Sequence, residues 1–296
     1  MKNTKVAIGV DIGGTKIKTG LVGSDGKILC EPFTISTGAN DPKELIVARI
    51  IESINYAIRQ AQNEELEIQG IGMGVTGPLD IKGGRILQCP NLPTMDFYPL
   101  RETVKEYFSI PVFMNNDANA MILGESLWGA GKGAGCVLGI TLGTGLGCAI
   151  IRRNKIWIGA TETAGEIWIS PYKRSIIEDY VSGNAITRIF KEKSGKVCSA
   201  VEVSDLAREG NAFAIKTWNE FSKALAYALA WSVNLVDPDV IVIGGAISNS
   251  TDLFLSPVEK MLRKQICPVP AESIRIAKAQ LGDNAGFAGA AALVFS

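Results

Sequence analysis

Short, largely apolar runs alternate along this chain with longer segments of mixed polarity. The runs lie at residues 4–10, 16–22, 69–75, 112–114 and 240–243. The completely apolar run at 240–243 is typical of a strand buried on both faces of a sheet. Start and stop signals in the longer segments predict helices over 41–62, 99–108, 117–128 and 212–236, and a last helix that begins near Asn284.

The predicted elements fall into two halves. The first half reads β-β-β-α-β-α-β-α, with a third strand over 27–35 that follows a turn at 23–26. The second half opens with the helix over 117–128 and then repeats the hairpin over 135–158. Because no linker rich in proline, serine or charge separates the halves, we predict two α/β domains that pack closely around a cleft.

One glycine-turn pattern occurs twice, at residues 7–15 and 137–145. Each copy is an apolar strand, then Asp11 or Thr141, then a turn of glycine and threonine that leads into a second strand. Glycine allows backbone N–H groups to approach a ligand closely, and consecutive N–H groups in a turn form an anion-binding concavity. Two copies facing each other would hold a polyphosphate from both sides, so the pattern predicts a nucleotide-using protein with two related domains.

Composition excludes several classes of protein. The 296 residues are 47% hydrophobic and 20% charged, as in a globular protein with a large core, and 30 Lys and Arg balance 30 Asp and Glu. This balance gives no support for binding to nucleic acid or to an anionic membrane surface. We find neither a signal peptide nor an apolar run long enough to span a bilayer, so we expect a cytoplasmic protein without a membrane partner.

Histidine is absent, and the six cysteines form no C-x-x-C pair. These two facts argue against a zinc site of Cys and His, and we expect free thiols in a reducing compartment. The absence of histidine also excludes a Ser–His or Cys–His nucleophile. Acid–base chemistry must therefore come from Asp, Glu, Lys, Tyr or Cys.

Eight motifs in order resemble those of the ROK family of sugar kinases (repressor, open reading frame, kinase), which belongs to the actin-like ATPase superfamily. They are DIGGT at 11–15, GVTGP at 74–78, NLP at 91–93, NNDAN at 115–119, TLGTG at 141–145, AGE at 164–166, EDYVSG at 178–183 and DPDVIVIGG at 237–245. The resemblance implies two duplicated actin-like (ribonuclease H-like) domains with a cleft between them. One would span residues 1–117, completed by a helix over 284–296, and the other 118–283. It also implies a homodimer.

The resemblance implies that ATP binds the two glycine turns through its phosphates, and Gly244-Gly245 and the segment 282–286 through its adenosine, with Mg²⁺ held near Asp11 through water. The implied ATP-binding residues are Asp11, Gly13, Gly14, Thr15, Lys16, Thr141, Gly143, Thr144, Gly145, Gly244, Gly245 and Asn284. Taken alone, each glycine motif is equally consistent with an ordinary turn.

By the same resemblance Asp117 is the general base, which takes the proton of the attacking sugar hydroxyl. Its position before an apolar helix also fits a simple N-cap, and that alternative stays open. The implied substrate-binding residues are Gly77, Asn91, Asn116, Glu166 and Glu178. Glu166 and Glu178 could instead be solvated surface charges, but their positions inside matched motifs favour the binding role.

The segment after Glu166 departs from the family pattern. Most family members carry Gly-Glu-x-Gly-His and a cysteine-rich zinc loop, whereas this chain has Trp168 and Ile169 in place of the glycine and the histidine and lacks the loop. Losing the histidine removes a hydrogen bond near the sugar. The choice among glucose, fructose, N-acetylmannosamine, N-acetylglucosamine and allose therefore stays open. Trp168 either stacks on the sugar or packs in the core.

The leading prediction is an ATP-dependent kinase that phosphorylates a hexose or hexosamine, at O6, of the glucokinase, N-acylhexosamine kinase or fructokinase kind. The alternative is a non-enzymatic sugar sensor of the ROK type. Repressors of the family carry an N-terminal winged helix, whereas here the first strand begins at about residue 4. A sensor would therefore need a partner to reach DNA.

Overall fold

Two five-stranded sheets organise the chain in the computed structural model, which describes residues 4–296. The strands are β1 Lys5–Ile12, β2 Lys16–Gly23, β3 Phe33–Ser36, β4 Glu67–Val75, β5 Leu79–Asp80, β6 Arg85–Ile86, β7 Val112–Asn116, β8 Cys136–Leu142, β9 Leu146–Arg152, β10 Lys155–Ile156, β11 Pro171–Tyr172, β12 Ser175–Ile176, β13 Val240–Gly244 and β14 Arg275–Lys278. The helices are α1 Lys43–Asn63, α2 Leu100–Tyr107, α3 Asp117–Trp128, α4 Gly183–Ser194, α5 Ala200–Arg208, α6 Ala212–Val236, α7 Thr251–Leu262, α8 Pro268–Ser273 and α9 Ala285–Phe295.

The two sheets share one topology. Their strand orders are β3-β2-β1-β4-β7 and β10-β9-β8-β13-β14. In each, an antiparallel hairpin (β1–β2 or β8–β9) is extended by two parallel strands. The repeated glycine turn is the connection within each hairpin, so the duplication in the sequence corresponds to a duplication in strand order.

By packing, the chain divides into two units. The first comprises the described residues up to 133 together with 154–156 and 280–296, and the second comprises 134–153 and 157–279. This division differs from the predicted boundary after residue 117. Helix α3 lies in the first unit because it packs extensively on α9, which also covers β1 and β4.

Helices α1 and α9 cover opposite faces of the first sheet. Successive side chains of β1 point alternately to one helix and to the other. Ile8 and its neighbours two residues away join Ile50 and Ile54 of α1 in one apolar cluster. Ala7, on the opposite face, packs with Phe287 of α9. This period of two is the expected consequence of strand geometry.

Helix α9 lies directly on the backbone of the first sheet at two glycines. A Cβ on Gly9 would collide with the carbonyl oxygen of Phe287, and one on Gly72 with that of Ala290. These positions therefore need glycine because of close approach rather than backbone conformation.

The second unit has its own core around the long helix α6. Trp218 and Phe221 of this helix pack with Phe254 of α7, with ring centroids 5.2 to 5.6 Å apart. The strands β8 and β13 supply aliphatic side chains to the same cluster. The cluster includes Leu142 and Leu146, the residues on either side of the second glycine turn.

Several elements differ from prediction. The strand expected over 27–35 is shorter, at 33–36, and residue 28 makes only an isolated bridge to Val22. Helices α4, α5, α7 and α8 and strand β14 were not predicted. No helix among residues 4–296 combines the length and the apolar character needed to span a bilayer.

Candidate functional site

The predicted residues of the first unit gather at one edge of its sheet. Strands β1, β4 and β7 run parallel as neighbours, with Asp11 beside Gly74 and Gly74 beside Asn115. Their carboxyl ends therefore lie side by side, and ligands of open α/β sheets bind at such an edge.

The first glycine turn is held from both of its sides. The N–H of Gly13 donates to the carbonyl of Lys16 over 3.1 Å, and the hydroxyl of Thr37 donates to the carbonyl of Gly13 over 2.6 Å. Thr15 and Lys16 are exposed. The turn is fixed while its threonine and lysine side chains stay accessible, as an anion-binding loop requires.

Asp11 lies at the base of this turn, partly buried against the start of α9. A Cβ on Gly286 would collide with the Asp11 carboxylate. Burial raises the pKa of Asp11 from 3.8 to about 6, against the opposing effect of Lys16 and Lys18. An ionised carboxylate in this place favours a nearby cation.

A line of close contacts connects the first glycine turn to the end of β7. A Cβ on Gly14 would lie 2.7 Å from the carbonyl oxygen of Asn91. The amide of Asn91 donates to the hydroxyl of Thr76 over 3.1 Å. The next residue, Gly77, faces the amide nitrogen of Asn116, which would lie 3.0 Å from a Cβ there. Thr76 was not among the predicted site residues, although it lies within the motif at 74–78.

Asp117 is the first residue of α3, and the residue before it, Asn116, is the N-cap. The side-chain oxygen of Asn116 accepts from the N–H of Ala118 over 3.0 Å and from that of Asn119 over 3.4 Å. Asp117 also accepts from the N–H of Ala118, over 2.8 Å. The N-cap alternative for Asp117 is thus wrong in detail, because Asn116 fills that position.

The second glycine turn, like the first, is closed by a backbone hydrogen bond, but across two positions instead of three. The N–H of Gly143 donates to the carbonyl of Gly145 over 3.0 Å, and Thr144 is exposed. The first and last residues of the motif at 178–183 bond here: Glu178 accepts from the N–H of Leu146, which follows the turn, and the N–H of Gly183 donates to the carbonyl of Gly143. The predicted phosphate loop and one predicted sugar-binding acid are therefore in direct contact within the second unit.

Gly244 and Gly245 lie beside this turn. Gly244 is the register partner of Thr141 in the parallel pair β13–β8. Gly245 has φ +81°, and a Cβ there would collide with the carbonyl oxygen of Leu142. A side chain at 245 is thus excluded both by backbone conformation and by space.

Glu166 is exposed and is held by Trp168. The indole N–H of Trp168 donates to one carboxylate oxygen of Glu166, and the ring packs partly buried against the second unit's core. Of the two expectations for Trp168, core packing describes its position in this structure. Ile169 is 57% exposed.

A short hairpin, β11–β12, occupies the stretch where the family's zinc loop would lie. Tyr172 of this hairpin packs at 5.0 Å from both Tyr180 and Tyr227, and the ammonium of Lys173 lies 5.0 Å from the Tyr180 ring. Aromatic and cation–π contacts therefore hold this segment. Across residues 4–296, no three Cys, Asp or Glu side chains come together as metal ligands would.

Asn284 makes a contact that was not predicted. Its side-chain oxygen accepts from the ammonium of Lys18 over 2.8 Å. Its expected role at adenosine stays a prediction. No sequence signal marked Lys18, since the pair is separated by 266 positions.

Comparison with known proteins gives a consistent result. A family model described as the ROK family matches residues 7–296. A glucokinase of Thermotoga maritima is 30% identical, with 97% of this chain and 96% of that protein covered. The crystal structure of a ROK family glucokinase from Streptomyces griseus in complex with glucose and AMPPNP matches with a TM-score of 0.80 at 31% identity, over 97% of this chain and 98% of the other. The structure of a ROK hexokinase from Thermus thermophilus matches with a TM-score of 0.83 at 27% identity, over 98% of each chain.

Proposed function

The chain belongs to the ROK family, and we propose that, as a sugar kinase, it transfers the γ-phosphoryl group of ATP to the O6 hydroxyl of a hexose or hexosamine. Asp117 is the general base of this reaction. The family resemblance identified from the motifs is confirmed by the family match and by the glucokinase relatives.

The observation that carries the proposal is the line of contacts in the first unit. It runs from Gly14 through Asn91, Thr76 and Gly77 to Asn116, the residue before Asp117. Phosphoryl transfer depends mainly on alignment and charge neutralisation, so a fixed spacing between phosphate loop and base is the central requirement. The contact line supports such a fixed spacing.

Asp117 acts on the attacking hydroxyl. The sugar oxygen forms a bond to the γ-phosphorus, the bond from that phosphorus to the bridging oxygen breaks, and ADP leaves with the electron pair. The hydroxyl proton passes to a carboxylate oxygen of Asp117. Asn116 and Asn91 offer amide groups, which both donate to and accept from sugar hydroxyls.

The glycine turns bind the phosphates. In the first turn the N–H of Gly13 already donates to the carbonyl of Lys16. Phosphate is therefore bound by the remaining donors, which are the N–H groups of Gly14 and Thr15, the Thr15 hydroxyl and the Lys16 ammonium. In the second turn they fall to Thr144 and the adjacent N–H groups. Thr141, Gly244 and Gly245 shape the neighbouring backbone for the rest of the nucleotide.

Asp11 fits Mg²⁺ bound together with ATP. This ion keeps several waters and binds through one or two carboxylates plus substrate phosphates. Asp11 offers one carboxylate beside the phosphate turn, and its burial raises its pKa, which an adjacent cation would oppose. When bound, the ion neutralises charge on the phosphates.

Glu166 and Glu178 bind sugar hydroxyls from the second unit. Trp168 occupies one oxygen of Glu166, which leaves the other for the substrate. The exposed Ile169 adds apolar surface close by in sequence, which favours a sugar with an apolar substituent such as an N-acyl group over plain glucose.

Coupled turnover of ATP with a panel of hexoses and N-acylhexosamines tests the proposal, with Asp117→Asn as the decisive variant. We expect sugar-dependent ADP formation by wild type and a loss of at least about 100-fold in kcat for Asp117→Asn, since general base catalysis contributes about 10²–10⁴-fold. Sugar affinity should be largely spared. Asp25→Asn, on an exposed turn, is the matched control.

Two outcomes would contradict the proposal. Wild type that binds a sugar without forming ADP would favour the sugar-sensor alternative. Substantial residual turnover by Asp117→Asn would remove Asp117 as the base.

A further inference from the structure

The segment from Glu178 to Gly183 braces the second glycine turn at both ends. The N–H of Leu146, just after the turn, donates to Oε2 of Glu178 over 2.8 Å. The N–H of Gly183 donates to the carbonyl of Gly143, at the start of the turn, over 2.8 Å. One short stretch of chain thus fixes both the entry and the exit of the turn.

The absence of a side chain at Gly145 lets the Glu178 carboxylate reach the backbone of the turn. A Cβ on Gly145 would collide with Oε2 of Glu178, while Oε1 would lie 3.8 Å away. Oε2 therefore contacts the turn, whereas Oε1 lies farther from it.

We propose that Glu178 is a positioning residue for the nucleotide, which holds the second glycine turn in the shape that binds the triphosphate. The inference rests on the proposed function, and it assigns Glu178 a role in addition to sugar binding. A carboxylate makes a stronger acceptor for a backbone N–H than a neutral group does. The Glu178 carboxylate thus contacts the turn through Oε2 and the sugar through Oε1. Sugar binding that moves this carboxylate therefore also changes the shape of the turn.

Two substitutions at one position separate this role from simple sugar binding. Glu178→Gln keeps an oxygen that can accept from Leu146, whereas Glu178→Met keeps the length and removes the acceptor. The readout is the affinity for AMPPNP with Mg²⁺ in the absence of sugar, measured by calorimetry on the full chain. We expect Glu178→Met to bind AMPPNP about ten-fold more weakly than wild type, the effect of losing one hydrogen bond to a charged group, and Glu178→Gln to bind within about two-fold.

Glu166→Gln is the matched control, because Glu166 is the other acid proposed for the sugar and bonds to Trp168 rather than to the turn. It should raise the KM for sugar and leave AMPPNP affinity unchanged. A purely sugar-binding Glu178 would behave in the same way, with both of its variants retaining AMPPNP affinity, and that result would overturn the inference.

A second, independent variant tests the contact without changing Glu178. Gly145→Ala places a methyl group where Oε2 lies and should weaken AMPPNP binding, but it should add little in the Glu178→Met background, because both changes remove one interaction. Fully additive effects would contradict the brace. These binding measurements need no turnover, so their failure is distinct from a failure of the kinase assignment, which would appear as absent ADP formation by wild type.

Discussion

The ammonium of Lys18 donates to the side-chain oxygen of Asn284 over 2.8 Å, and so joins β2 to the start of α9. The same ammonium donates to the carbonyl of Asp283 over 3.0 Å and lies 5.5 Å from the ring centre of Phe287. One side chain thus fastens the C-terminal helix to the first sheet beside the proposed phosphate turn.

Replacing Lys18 with methionine should destabilise the first unit. The change keeps most of the apolar length but removes both hydrogen bonds, and we expect a loss of about 1–2 kcal/mol in the free energy of unfolding. Denaturant unfolding followed by circular dichroism checks this. Lys264→Met, at an exposed position of the second unit, is the control, and equal effects of the two changes would contradict a specific role for Lys18.

The close approach of α9 to the first sheet predicts a sharp contrast between two glycines of β4. Gly72→Ala should lower the unfolding free energy by about 3 kcal/mol or more, because its Cβ would meet the Ala290 carbonyl and α9 would have to move. Gly74→Ala is the matched control on the same face, since its Cβ would meet the nearest atom, the Cβ of Ala120, at 3.4 Å. Thermal melting of both variants measures the difference, and a Gly72→Ala protein as stable as Gly74→Ala would refute the packing of α9.

The raised pKa of Asp11 predicts a pH-dependent gain from Asp11→Asn in the protein without nucleotide. The folded protein holds the Asp11 proton more tightly than the unfolded chain does, so the stability that Asp11 contributes is complete below pH 3.8 and is lost as the pH rises through about 6. Asparagine does not ionise. The unfolding free energy of the variant should therefore match that of wild type at about pH 4 and exceed it by about 3 kcal/mol at about pH 8.

Denaturant unfolding across this pH range measures the effect. Asp25→Asn is an informative control of opposite sign, because the Lys27 ammonium lowers the pKa of the exposed Asp25, so its removal should cost a little stability at neutral pH. An Asp11→Asn protein that gains nothing above pH 6 would show that the carboxylate is better solvated than its burial indicates.

Much of the architecture could be predicted because it depends on local pattern. The apolar run at 240–243 became the buried strand β13, and the repeated glycine turns became hairpins with the same neighbours in both sheets. The α/β class and the ROK assignment are confirmed by the structural and family matches. Apolar periodicity and glycine spacing involve residues that are close together in the chain, so they can be recognised in a single sequence.

The remaining features depend either on contacts that are distant in sequence or on local backbone geometry that the residue pattern does not fix. Lys18 meets Asn284 only after β2 and α9 have packed, and Trp168 meets Glu166 only because a short helical turn brings the two together. The boundary after residue 117 differed from the observed division for the same reason, since the affiliation of α3 depends on α9. Capping by Asn116 instead of Asp117 reflects a one-residue uncertainty at helix starts.

The first unit is assembled from pieces at opposite ends of the chain, with α9 seated on the glycines of β1 and β4. During synthesis, the face of this sheet that α9 covers therefore stays exposed until residues 285–295 have been translated. The second unit, complete by residue 279, has all of its strands and helices available earlier. We therefore expect the order of folding to run against the order of translation, and premature termination shortly before α9 to release a chain with one finished unit and one aggregation-prone sheet.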